Sequence, residues 1–223
     1  MTLKNAVRDS GVKAVILDYG EVLCLRPTEE QIRRMAGVFG IGTSQFATLY
    51  EKNRLAYDRG DLTPEQYWFS FADEPGIRLD AAQIPLLRAW DVEMWSNTNP
   101  GMIEWLESIH SNGTRTALLS NMHMDMVSKV RREFGWIRHF DGLVFSCELH
   151  LAKPEVAIYE HCLQALGATA HETLFIDDRE VNVKAAQRIG IRAIRFESVE
   201  QLRSELEDIG FPILPSASAR ASV

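Results

Sequence analysis

Three short apolar runs in this chain end in residues able to do chemistry. Ala14-Val15-Ile16-Leu17 ends at Asp18, Thr116-Ala117-Leu118-Leu119 at Ser120-Asn121, and Leu174-Phe175-Ile176 at Asp177-Asp178. A fourth group, Lys153, stands directly before Pro154. A carboxylate such as Asp18 can act as a nucleophile, as a metal ligand or as both. Two separated carboxylates plus a backbone carbonyl are hard oxygen ligands suited to Mg²⁺. A hydroxyl and an ammonium can hold the oxygens of a phosphoryl group while a carboxylate attacks phosphorus in line. The adjacent acids Asp177 and Asp178 repel each other, and a cation relieves that repulsion. Each group alone is commonplace, since Asp and Ser also serve as turn and helix-cap residues. Their value depends on being brought together.

A parallel sheet would bring them together. Unbroken apolar runs of three or four residues are the pattern of strands buried on both faces. Two further strands are predicted at 143–146 and 192–196. Helical patterns lie between them: one opens at Asn99-Pro100 and stops at Asn112-Gly113, and others cover 124–134, 154–166, 181–189 and 199–209. Gly167 and Gly190 punctuate two of their ends. Strands alternating with helices predict a Rossmann-like, doubly wound parallel α/β sheet. In such a sheet every strand's carboxyl end lies on one edge, and ligands bind in the crevice there.

Nothing between Thr28 and Asn97 alternates as a strand does. Thr28 and Gln31 form a capping box for a helix that closes at Gly40. Ser44 is the expected cap of a second helix, with Phe46, Leu49, Tyr50 and Leu55 recurring along it up to Gly60. Thr63-Pro64-Glu65-Gln66 combines a cap, a proline at the first helical position and a box partner. Another helix is expected over 81–95. This reading divides the chain into a hydrolase core of 11–23 and 98–212, a helical cap of 24–97, and a Ser- and Ala-rich tail at 213–223 expected to be disordered.

At 223 residues, with 46% hydrophobic and 25% charged, the chain can bury one sizeable core plus a small bundle. A net charge of -7 argues against nucleic acid or an anionic membrane as partner, so a phosphorylated substrate would need local cations or a metal. Cys24, Cys147 and Cys162 form no CxxC pair, which points to reduced thiols and a cytoplasmic protein. Cys24 reads as a small buried hydrophobe. The N-terminus lacks an apolar signal core, and no apolar run approaches membrane-spanning length. The expected partner is a small phosphorylated metabolite, met by a monomer or homodimer.

Taken together, "LDYGEVL", "LLSN", "KPEVAIYEHCLQALG" and "FIDDREVNVKAAQRIGI" resemble, in order, the motifs of the haloacid dehalogenase superfamily of aspartate-nucleophile hydrolases. The last two blocks are most similar to the branch of sugar-phosphate phosphatases and of the phosphatase domain of soluble epoxide hydrolases. The resemblance implies Asp18 as nucleophile and Mg²⁺ ligand, the Gly20 carbonyl and Asp178 as further ligands, and Asp177 as support. It also implies Ser120, Asn121 and Lys153 as the groups that meet the phosphoryl oxygens. Asn182 and Ala185-Ala186 set the register of the acidic pair within that pattern.

The chain departs from the pattern at one place. Most phosphatases of the superfamily carry a second Asp two residues after the nucleophile, as acid to the leaving alcohol and base to the water. Here that residue is Gly20, followed by Glu21 where Gly is usual. Positioned acid–base help is worth about 10²–10⁴ in rate. Glu21, His123, a metal-ordered water or a good leaving group would have to stand in, although a histidine at a helix start is first expected on the surface. Arg26, Arg54 and Arg59 are expected to be solvated, Tyr50, Tyr57, Trp68, Phe69 and Phe71 to form the cap's core, and the five tryptophans to pack cap against core. The expectation is a Mg²⁺-dependent phosphatase. Its rivals are a metal-independent dehalogenase, disfavoured because position 20 is not aromatic, and a non-catalytic phosphate-binding regulator.

Overall fold

The computed structural model describes residues 10–212. Five strands, β1 (Ala14–Leu17), β2 (Arg115–Ser120), β3 (Gly142–Phe145), β4 (Thr173–Asp177) and β5 (Arg192–Arg195), form one sheet. Their order is β3-β2-β1-β4-β5 and every pairing is parallel. Strand β1 is central, with Leu17 between Leu118 and Ile176, and none of its four side chains reaches solvent. Between β1 and β2 the chain runs through α1 (Glu29–Phe39), α2 (Thr43–Lys52), α3 (Arg54–Asp58), α4 (Pro64–Phe69) and α5 (Ile84–Met94), then α6 (Pro100–Ser111). The remaining helices are α7 (Met124–Glu133), the single turn α8 (Ser146–Leu149), α9 (Val156–Leu166), α10 (Glu180–Arg188) and α11 (Val199–Ile209).

Residues alternate across a strand, so each sheet face has its own packing. Val15 and Leu17 point to the side covered by α6, α7 and α11, where Trp105, Val127 and Leu202 are buried. Ala14 and Ile16 face the other side, against Ile158 and Tyr159 of α9 and Ala186 of α10. Helices α1–α5 close a separate apolar cluster around Phe39, Tyr67 and Trp68. The caps read from sequence form: Thr28 with Gln31 and Thr63 with Gln66 both make reciprocal capping boxes. No helix among the described residues is long and apolar enough to cross a membrane.

Several local expectations are corrected. Gly42, not Ser44, caps α2, and the second helix breaks at Asn53, which turns Leu55 out to solvent. Phe69 is exposed, whereas Tyr50, Tyr57, Trp68 and Phe71 are buried together. The helix after Lys153-Pro154 starts only at Val156. Among the tryptophans, Trp95 alone belongs to both the insertion's cluster and the sheet's; Trp68 and Trp90 serve the first, Trp105 and Trp136 the second. The expected tail at 213–223 lies outside the described residues.

Candidate active site

Strand pairing delivers the first carboxylate. The Asp18 N–H donates to the carbonyl of Ile176, carrying the β1–β4 ladder one residue beyond Leu17. The chain then turns through Tyr19–Leu23, with Gly20 extended and Glu21 at φ 54, the left-handed region that favours glycine. Glu21 is also the position where the resembled family carries Gly. Its carboxylate accepts a hydrogen bond from Nε of Arg26 at 2.9 Å.

Lys153 reaches this edge from the loop before α9. Its Nζ lies 2.7 Å from Oδ1 of Asp18 and 2.7 Å from Oδ2 of Asp177, and its side chain is almost fully buried. Asn121 holds that loop in place: its side-chain amide donates to the Lys153 carbonyl and accepts from the Lys153 N–H, both at 2.9 Å. Asp177 also accepts the Arg179 N–H at 2.8 Å and the Asn182 amide at 2.9 Å. These partners occupy both of its oxygens. Asp178, beside it, is only partly buried and lines the cavity, as do Gly20, Ser120, Asn121 and Lys153.

The electrostatics follow from this crowding. One oxygen each of Asp18, Asp177 and Asp178 lie within 4.8 Å of one another. Burial pushes the Asp18 carboxyl up to about 8, with Asp177 and Asp178 adding to the rise and Lys153 opposing it. Burial, then the charges of Asp177 and Glu21, push Asp178 up to about 6. Burial would lower the Lys153 pKa, but Asp177 and Asp18 outweigh it and hold the ammonium charged. Three carboxylates face one ammonium, an excess of negative charge that suits a divalent cation with oxygen ligands.

The helical insertion supplies the other wall of the 270 Å³ cavity, through Tyr50, Glu51, Arg54, Asp58 and Trp95. Arg54 is therefore not solvated. Its Nε pairs with Asp58 at 2.9 Å and its Nη1 with Asp91 at 3.1 Å, and its guanidinium lies over the Tyr50 ring. Arg59 is half-buried between Asp61 and Glu155, and Arg26 stays exposed. His123 is likewise not on the surface: it is 1% exposed, its Nε2 lies 3.2 Å from Oδ2 of Asp91, and its ring stacks on Tyr57. It does not line the cavity. Cys24 is fully buried, and burial raises its thiol to about 12. An Arg and an Asp four residues apart on a helix read equally well as an exposed pair, so Arg54 and Asp58 carried no distinguishing signal.

A sequence model described as a haloacid dehalogenase-like hydrolase matches residues 12–190. Mouse acyl-CoA dehydrogenase family member 10 is 33% identical over 71% of this chain and 15% of its own length. Rat bifunctional epoxide hydrolase 2 is 28% identical over 53% of this chain and 22% of its own. A sesquiterpene phosphatase of Aspergillus oryzae is 31% identical over 40% of this chain and 46% of its own. The chain thus spans less than half the length of these relatives. Among solved structures, a HAD family enzyme of Bacteroides thetaiotaomicron, in complex with magnesium and inorganic phosphate, superposes with a TM-score of 0.67 at 22% identity, over 83% of this chain and 94% of that one. The L-2-haloacid dehalogenase of Xanthobacter autotrophicus superposes with a TM-score of 0.65 at 20% identity, over 88% and 82%. At such identities the likeness is one of fold.

Proposed function

The chain belongs to the haloacid dehalogenase-like hydrolases, and from that premise we propose that it is a Mg²⁺-dependent phosphatase of small phosphomonoesters, a sugar phosphate being one candidate. The observation that carries this reading is the buried cluster in which Lys153 bridges Asp18 and Asp177 while Asp178 stands beside them with no side-chain partner of its own. A phosphatase among the relatives, and a structural neighbour solved with magnesium and phosphate, support it. Asp18, the Gly20 carbonyl and Asp178 would hold the ion, with Asp177 supporting through Lys153. When bound, it would supply positive charge against the phosphoryl oxygens.

Asp18 attacks phosphorus in line as the bond to the leaving oxygen breaks, forming an aspartyl-phosphate. Water then attacks that phosphorus, releasing inorganic phosphate and restoring Asp18. Lys153 holds the Asp18 carboxylate in position and offsets charge on the transferring group. Ser120, 2% exposed at the end of β2, offers a hydroxyl to a phosphoryl oxygen. Asn121 contributes by fixing Lys153. The segment 24–97 acts as a cap over the leaving group, excluding water and selecting the alcohol.

No acid stands at Gly20 to protonate the leaving oxygen. His123 is sealed against Asp91 and cannot replace it, which leaves Glu21 or the leaving group's own stability. Esters whose leaving oxygen carries its charge well are therefore the fast substrates. Hydrolysis of p-nitrophenyl phosphate tests the reading. Turnover with Mg²⁺ that EDTA and Asp18→Asn both abolish supports it. Halide release from a 2-haloacid in EDTA would establish the dehalogenase reading in its place, and tight phosphate binding without turnover the regulatory one.

A further inference from the structure

The wall that meets the leaving group has an unusual charge balance. Arg54 is its one cation, and it is already matched by two buried carboxylates, Asp58 and Asp91, at 2.9 and 3.1 Å. Arg54 Nε is committed to Asp58 and Nη1 to Asp91 and Tyr50, whereas Nη2 makes no bond within the protein. Asp58 itself lines the cavity, as does exposed Glu51. The facing surface is apolar: Tyr19, Trp95, Met122 and Met126.

Resting on the phosphatase reading above, the geometry points to a leaving group that is an uncharged alcohol with an apolar body and one polar oxygen. Arg54 Nη2 donates to that oxygen from a guanidinium locked in place by Asp58, Asp91 and the Tyr50 ring. Because its charge is spent on those carboxylates, Arg54 is a hydrogen-bond donor here and not an anchor for a second anion. A carboxylate or second phosphate on the alcohol would face Asp58 and Glu51 without a free cation on that wall, and like charges brought together without compensation are strongly disfavoured. Arg54 sets specificity by fit, and Asp58 and Glu51 by exclusion.

The test is a set of matched esters differing in one charge, read beside p-nitrophenyl phosphate: glucose 1-phosphate against glucuronic acid 1-phosphate, and butyl phosphate against 4-phosphooxybutanoate. The neutral member of each pair is expected to have the higher kcat/KM, by roughly tenfold or more. Asp58→Asn is expected to narrow the gap, and Glu51→Gln, at an exposed position that folding does not depend on, to narrow it in the same direction. Equal rates, or preference for the charged ester, overturn the inference while leaving the phosphatase reading intact. So does a preference that disappears with Arg179→Ala, because that exposed cation at the cavity rim would then be the selecting group. If p-nitrophenyl phosphate is not hydrolysed, the phosphatase reading fails. The order of affinities for each pair, measured by calorimetry on the Mg²⁺-loaded protein, still decides between a neutral and an anionic ligand.

Discussion

Asp18 and Asp178 hold their protons more tightly in the folded chain than in the unfolded one, with carboxyls raised to about 8 and about 6. The sign of the consequence is fixed. The stability linked to these two groups is full below the ordinary carboxyl range near pH 4 and is lost as pH rises through about 6 and then about 8. Thermal melts of metal-free protein should therefore fall across that interval, and Mg²⁺ should restore most at the alkaline end, where both carboxyls are ionised. Asp18→Asn should abolish turnover yet raise the metal-free melting temperature, by roughly 2–4 °C for each kcal/mol of relieved repulsion. A variant that melts lower than wild type at pH 8 would show that the carboxylate cluster is not a source of strain. Glu21→Gln separates the two explanations for the missing acid. If Glu21 delivers the proton, alkyl phosphates lose about 10²-fold or more while p-nitrophenyl phosphate is spared. If leaving-group stability alone suffices, both rates move together.

At the scale of elements, polar ties join the helical segment to the sheet domain at places the catalytic cluster does not touch. His123, at the start of α7, meets Asp91 of α5; Arg88 of α5 makes two bonds of 2.7 Å to Asp125 of α7; and Arg59 reaches Glu155 at 3.0 Å. They differ in kind. Burial works against the Asp91 charge, but Arg54, His123 and Tyr50 outweigh it and hold the carboxyl below its usual range. His123→Ala removes one of those partners from a fully buried carboxylate and should cost about 1–3 kcal/mol in urea unfolding. Arg88 and Asp125 are partly solvated, so Arg88→Ala should cost under about 1 kcal/mol. Its effect should fall on KM, because a less populated closed state weakens apparent affinity in proportion. A large loss of stability with unchanged KM would make Arg88 a structural tie only.

Over the whole molecule, charge and site work against each other. The chain carries a net -7, and the proposed phosphate site is itself rich in carboxylates. Phosphate alone should therefore bind weakly, and Mg²⁺ together with phosphate should raise the melting temperature by more than the sum of either alone. At a hundred times the dissociation constant, a ligand of the folded state contributes about 2.7 kcal/mol. Additive shifts would mean that ion and phosphate occupy separate places.

The sequence by itself determined what depends on near neighbours. The apolar runs before Asp18, Ser120 and Asp177 are strands because only a doubly buried position tolerates such runs, and parallel pairing puts their ends on one edge. The Thr28 and Thr63 boxes close within four residues, so local bonding suffices to start those helices. Tertiary structure alone decided the rest. Asn121 is spent on the backbone of Lys153, 32 residues away. Asp177 is filled by Lys153 and Asn182. His123 leaves the surface because Asp91 and Tyr57 from the inserted helices cover it. Arg54 becomes a buried wall of the cavity because Asp91, 37 residues further on, compensates its charge. A charged side chain can be buried only where partners from other elements meet it, and where those elements meet is set by packing across the whole fold.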